Sequence, residues 1–246
     1  SRHSKNAADK SPQHLTLLAM DRVGYKNLIQ LVTKAHLEGF YYKPRIDHDL
    51  LEAHSKGIIP LSGCPTGEIP RLLIEGNEAE ARSRALWYKE VFGNYFLEIQ
   101  QHEHIPDLDR LNKALVLMGR ELDIPLVLTN DAHYVERRDA PIQDLLICIH
   151  TNTNVKDERR LRMEDDSYYI KTPQEMASLF PELQGAYKNT ERVSEMCNLD
   201  VDFNQIHIPQ YTSPEDISSE QYLRRLCLEG MRRRQPSALP NYEERL

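Results

Sequence analysis

The chain has no two cysteines close enough in sequence to act as a pair. Its four, Cys64, Cys148, Cys197 and Cys227, are scattered, and no C-x-x-C occurs. That spacing argues against a zinc finger and against a disulfide framework, and fits reduced thiols in a cytosolic protein. Positive charge is also short: 31 Lys and Arg stand against 38 Asp and Glu, a net charge of −7. A domain that grips duplex DNA unaided shows a basic surface, so backbone-phosphate binding is not the main expectation. The local exception is Arg224, Arg225, Arg232, Arg233 and Arg234 near the C-terminal end, read as a solvated helix face. No apolar run approaches the length needed to cross a bilayer. No charged start followed by an apolar stretch marks a secretory leader, and no internal repeat or low-complexity tract is visible. The turn SGCPTGE lacks the lysine and the spacing of a phosphate loop. A nucleophile elbow, a glycine-rich dinucleotide fingerprint and a strand-borne D-x-D of a two-metal polymerase site are missing as well.

What remains is ordinary: 246 residues, 40% apolar and 28% charged, enough for one large domain or two small ones with a real core. The first residue is Ser1 rather than methionine, and the expectation is a piece of a longer protein. Short apolar runs at 14–19 (HLTLLA), 58–62 (IIPLS, weakened by Pro60), 95–101 (YFLEIQQ) and 124–129 (IPLVLT) read as strands. Helical spacing covers 24–38, 69–74 with 78–91, 107–122, the stretch after Asp139, 173–179 and 187–197. Ser218 caps a last helix, with Gln221 as its capping-box partner. Strands alternating with helices predict a parallel α/β arrangement.

Ligands in such folds collect at the carboxyl ends of strands. Thr129-Asn130-Asp131-Ala132-His133-Tyr134 follows the clearest strand directly. In an extended segment, residues two apart point to one side, so Asp131 and His133 could reach one metal ion, with donors that suit zinc, manganese or iron. Pattern alone leaves open a helix start at Asp131 and a surface histidine at 133. His14 opens its strand, where a lone histidine also reads as a core residue. Cys64 ends the second strand in a tight turn, as a soft ligand or simply a small buried side chain. His102-Glu103-His104 has the H-x-H form of a metal site, but its polar loop marks it as a solvated decoy.

The run HLTLLAMDRVGYKNLIQLVTKAHLEGFYYKPRID, with LSGCPTGEIPRLL, PLVLTNDAHYV, NTERVSEMCN and IPQY in that order, closely resembles the PHP domain of bacterial DNA polymerase III alpha subunits. The resemblance covers nearly the whole chain. It implies a distorted (β/α) barrel of seven strands over residues 1–210, lacking its first strands, then a linker and a helical lead into the polymerase palm over 211–246. It implies up to three zinc or manganese ions at the strand ends, with His14, Cys64, Asp131 and His133 as ligands; His102 and His104 fall on no ligand motif of the family. The family's earlier ligands (an H-x-H, an aspartate, a histidine and a glutamate) would precede His14 and are absent here. The palm aspartates are absent too, although residues 220–234 and NYEERL (241–246) resemble the approach to the palm. The implied activities are template-directed DNA synthesis by the parent, with magnesium, and metal-assisted phosphodiester hydrolysis (a 3′–5′ exonuclease or pyrophosphate clearance) by the PHP domain. The implied partners are DNA, deoxynucleoside triphosphates, a proofreading exonuclease and a sliding clamp, in the cytoplasm and without a membrane. Alternatives are a PHP scaffold that docks the exonuclease, and a free-standing phosphatase of the histidinol phosphate type. The chain alone is expected to hold metal weakly and to be neither a polymerase nor an efficient hydrolase.

Overall fold

A computed structural model of the chain describes residues 1–6, 12–163, 165–204, 206 and 208–234. It divides into two compact units, Ser1–Asp200 and Val201–Leu246. Four strands belong to the first: β1 (Thr16–Ala19), β2 (Ile58–Leu61), β3 (Leu97–Ile99) and β4 (Leu126–Leu128). Among the described residues eight α-helices accompany them: α1 (Arg22–Leu37), α2 (His48–Ala53), α3 (Glu68–Ile74), α4 (Glu78–Phe92), α5 (Leu108–Leu122), α6 (Ala140–Thr151), α7 (Pro173–Leu179) and α8 (Gln184–Met196). The fold is mixed α/β.

β3 and β4 pair in parallel, Leu97 opposite Leu126 and Ile99 opposite Leu128. A parallel bridge between Leu61 and Phe96 joins β2 to β3. Pro60 takes part through the one group a proline still offers, its carbonyl, which accepts from Phe96 N–H at 3.3 Å. The parallel expectation fails at β1. It runs antiparallel to β2, Thr16 opposite Leu61 and Ala19 opposite Ile58. Alternating strands and helices do not encode direction when a connection holds more than one helix, as α1 and α2 do here.

β2, β3 and β4 are buried on both faces, which is why they read as continuous apolar runs rather than alternating ones, whereas β1 is exposed at Thr16 and half-buried beyond it. Ile58, Leu97, Ile99 and Leu128 enter one core with α4 and α5. Ile59, Leu61, Phe96 and Val127 enter a second core with Val193 of α8, and Leu18 packs against it. β4 lies at one edge of the layer, and α8 covers it. Asn189 Nδ2 donates to Leu126 O at 2.7 Å and Thr190 Oγ1 donates to Leu128 O at 3.0 Å. Carbonyls without a ladder partner are thereby satisfied by helix side chains.

In the second unit, α9 (Ser219–Arg234) starts as the sequence predicts. Gln221 N–H donates to Ser218 Oγ and Ser218 N–H donates to Gln221 Oε1, both at 3.2 Å, a reciprocal capping box. Arg225 pairs with Glu215 and Glu229. The NYEERL segment lies outside the described residues.

Candidate metal centre

Side-chain parity along the strands builds the site. Residues two apart share a face, so the face carrying Ile59, Phe96 and Val127 continues through Glu98 on β3 to Gln100 just past β3 and Thr129 just past β4. The face is apolar at one end and polar at the carboxyl ends of β2, β3 and β4. His14 precedes β1, yet it joins them: because β1 is antiparallel, its beginning lies beside the ends of the others. His14 is exposed, so it is not a core histidine.

The turn after β2 brings Cys64 to it. Cys64 Sγ lies 3.5 Å from His14 Nδ1 and 3.1 Å from Thr66 Oγ1. His14 N–H donates to Thr66 O at 3.3 Å, and Gly67 N–H donates to Cys64 O at 2.7 Å. Gly63 adopts φ 82°, a left-handed conformation that glycine takes without strain. Gly67 is held tighter still: a Cβ there would stand 2.3 Å from the carbonyl oxygen of Ser62.

Past β4, Asp131 and His133 form the second pair, with Asp131 Oδ1 3.5 Å from His133 Nε2 and both side chains about two-fifths exposed. They do not converge by the extended geometry the sequence suggested. Asp131 adopts φ 46°, in the left-handed region, and no helix begins there. Aspartate is one of the few non-glycine residues that visits this region readily, because its short polar side chain bonds locally.

A strap over residues 165–171 fastens this second pair. His133 N–H donates to Tyr168 O at 2.8 Å, and Asn130 Nδ2 donates to Ser167 O at 3.0 Å and Tyr169 O at 2.6 Å. Lys171 Nζ donates to Asn130 Oδ1 at 2.6 Å. His102 belongs to this fastening, not to solvent. It is 3% exposed, stacks on Tyr168 with centroids 4.1 Å apart, and pairs through Nδ1 with Ser167 Oγ at 2.6 Å. Burial lowers its pKa, which favours the neutral ring, and among the described residues its buried Nε2 has no hydrogen-bond partner. The polar loop reading failed because the covering strap comes from residues more than sixty positions later. His104 is exposed, as expected.

Asp165 anchors the strap at its other end, accepting from Ser167, Glu103 and His104 N–H groups at 2.7, 2.9 and 3.4 Å. Burial pushes its carboxyl up, but those hydrogen bonds outweigh it and hold the pKa below the usual value. A lowered pKa contributes stability that is present above the unfolded value and lost as pH falls through the folded one. Asp165→Asn should therefore lower the melting temperature at pH 7, and the gap from the wild-type chain should close below about pH 4. A gap that stays constant down to pH 2.5 would assign the loss to packing instead.

Sequence reasoning missed the centre of the site. Glu98 is 7% exposed, and its carboxylate accepts three hydrogen bonds: from Gly63 N–H at 3.1 Å, Gln100 Nε2 at 3.0 Å and Thr129 Oγ1 at 2.5 Å. Burial raises its pKa in spite of these donors, and the nearby Asp131 carboxylate adds to the rise. The signal was present: Glu98 is the one charged residue in the run YFLEIQQ, flanked by apolar residues on both sides, with Gln100 two positions on. Among the described residues, no three His, Cys, Asp or Glu side chains converge as one metal-holding group. The ligand-type residues come as two pairs, with Glu98 bonded to the turns that carry both.

The PHP domain family matches residues 3–102, a span that holds His14, Cys64 and Glu98. Over 96% of its length the chain is 43% identical to a DNA polymerase III subunit alpha of Borreliella burgdorferi, and covers 21% of it. The chain contains a PHP domain and is a relative of DNA polymerase III alpha subunits. The subunit of Deinococcus radiodurans is 41% identical over 94% of the chain, and that of Thermus aquaticus 38% over 92%. The chain spans about a fifth of the length of these alpha subunits. Asp131 and His133 fall beyond the PHP match but inside the stretch shared with the alpha subunits.

Proposed function

We propose that this chain is the PHP segment of a replicative DNA polymerase, with strands of a seven-stranded barrel over residues 1–210 and the lead into the palm over 211–246. We assign His14, Cys64, Asp131 and His133 to binding a divalent transition metal. The observation that carries this reading is the spacing of the two pairs. Donors on one tetrahedral ion, at about 2.3 Å for sulfur and about 2.0–2.2 Å for nitrogen or oxygen, stand roughly 3.4–3.6 Å apart. Both pairs have their donors 3.5 Å apart. Thiolate with imidazole favours zinc, and carboxylate with imidazole accommodates zinc or manganese.

A bound ion of this kind supplies Lewis-acid charge to a phosphate and makes water more acidic. The chain's own residues do the rest of the work. The left-handed turn at Asp131 presents its carboxylate to solvent. The strap fixes the backbone of His133, and Tyr168 packs edge-on to its ring with centroids 5.9 Å apart. The substrate class is a phosphodiester, hydrolysed as a 3′–5′ exonuclease would. Template-directed synthesis with magnesium, and contacts with DNA, deoxynucleoside triphosphates, a proofreading exonuclease and the sliding clamp, belong to the whole polymerase in the cytoplasm.

A second reading, a PHP scaffold that docks the exonuclease, draws on the lack of a three-donor cluster among the described residues. Metal content separates the two. In a zinc titration the chain is expected to bind the metal weakly but measurably, and Cys64→Ser with Asp131→Asn to abolish the binding. No bound zinc in the wild-type chain would sink the metal reading and leave the scaffold.

A further inference from the structure

We propose that Glu98 is a positioning residue that holds the Cys64 turn and the Asp131 turn in one fixed relation, so that the two donor pairs face a common site. The inference rests on the metal reading above and goes beyond it, because Glu98 is not itself a donor. Its two carboxylate oxygens divide the work. Oε2 accepts from the N–H of Gly63, the residue before Cys64. Oε1 accepts from the hydroxyl of Thr129, two residues before Asp131, and from Gln100 Nε2, which also donates to Thr129 Oγ1. A return bond runs from Glu98 N–H to Ser62 Oγ at 2.8 Å, so the end of β2 is tied to β3 twice.

A merely structural residue would not be built this way. A buried carboxylate is costly, and an apolar side chain of similar volume usually serves stability as well or better. What a carboxylate offers is acceptor capacity on two oxygens pointing apart. Here that capacity joins two turns that no strand hydrogen bond joins. Residues that orient metal ligands through hydrogen bonds typically change metal affinity by about 10–100-fold when removed.

The test is a cobalt(II) chloride titration of the full 246-residue chain, read by the sulfur-to-cobalt charge-transfer band that reports Cys64. Cys64→Ser is expected to abolish the band. Glu98→Gln keeps the shape but turns an amide donor toward groups that already donate. It should weaken cobalt binding about 10–100-fold while the far-ultraviolet circular dichroism stays that of the wild-type chain. Combining Glu98→Gln with Gln100→Glu moves the carboxylate to position 100, restores an acceptor for every donor, and should recover most of the affinity. Thr129→Val, a milder change on the Asp131 side, should weaken binding several-fold and carries the test if Glu98→Gln does not fold. Wild-type cobalt affinity in Glu98→Gln, or in Thr129→Val where that variant carries the test, overturns the positioning role and leaves the metal site standing. Absence of the band in the wild-type chain overturns both.

Discussion

Gly67→Ala should separate Cys64 from His14 without touching either. The added methyl would stand 2.3, 3.1 and 3.2 Å from the carbonyl oxygens of Ser62, Cys64 and His14. These are backbone atoms, so none can swing away as a long side chain would. The turn must open, and the bridge between His14 and Gly67 must break. Overpacking a tight site usually costs 1–3 kcal/mol, and a clash with three carbonyls belongs at the upper end, about 3 kcal/mol. Urea denaturation should show that loss, and cobalt binding at Cys64 should fall more than about tenfold. Gly185→Ala, where the new methyl meets nothing within 4 Å, is the control and should be neutral or slightly stabilising inside α8. Equal stability of the two variants would mean that the turn yields easily.

Phe96→Ala should have the largest effect on folding. The side chain is 1% exposed in the second core, among Ile59, Leu61, Val127 and Val193, with the Arg192 guanidinium 5.8 Å from the ring centroid. Removing a buried phenylalanine costs about 3–5 kcal/mol, a large part of the 5–15 kcal/mol that holds a typical domain together. The substitution leaves the backbone bonds that link β2 to β3, so the unfolding midpoint should shift while the transition remains cooperative. A change below 1 kcal/mol in denaturant titration would show that the second core does not support the strand layer.

Much of this was legible in the residues. The four apolar runs each contain one of the four strands, because strands packed in a core are rich in apolar side chains. The pairing of Ser218 with Gln221 is local chemistry and was read directly. Asp131 and His133 could be paired because they are two positions apart, although the pairing works through a left-handed turn rather than an extended one. What depended on distant partners was not legible. The antiparallel sense of β1, which puts His14 beside Cys64, is set by tertiary packing. His102 could not be known to be buried without the strap from residues 165–171. Glu98 was hidden differently: its spacing from Gln100 was visible, but its partners sit on two other segments.

The left-handed backbone at Asp131 has an evolutionary consequence. Few residues tolerate that conformation, and asparagine is among them. A single change to asparagine removes the charge and keeps the turn, the strap and the strand layer. On the proposed metal role of Asp131, descendants of this chain would lose that role in one step and keep the architecture, whereas a bulky replacement at the same position forfeits both. Inactive relatives with an intact shape are the outcome that drift should find first.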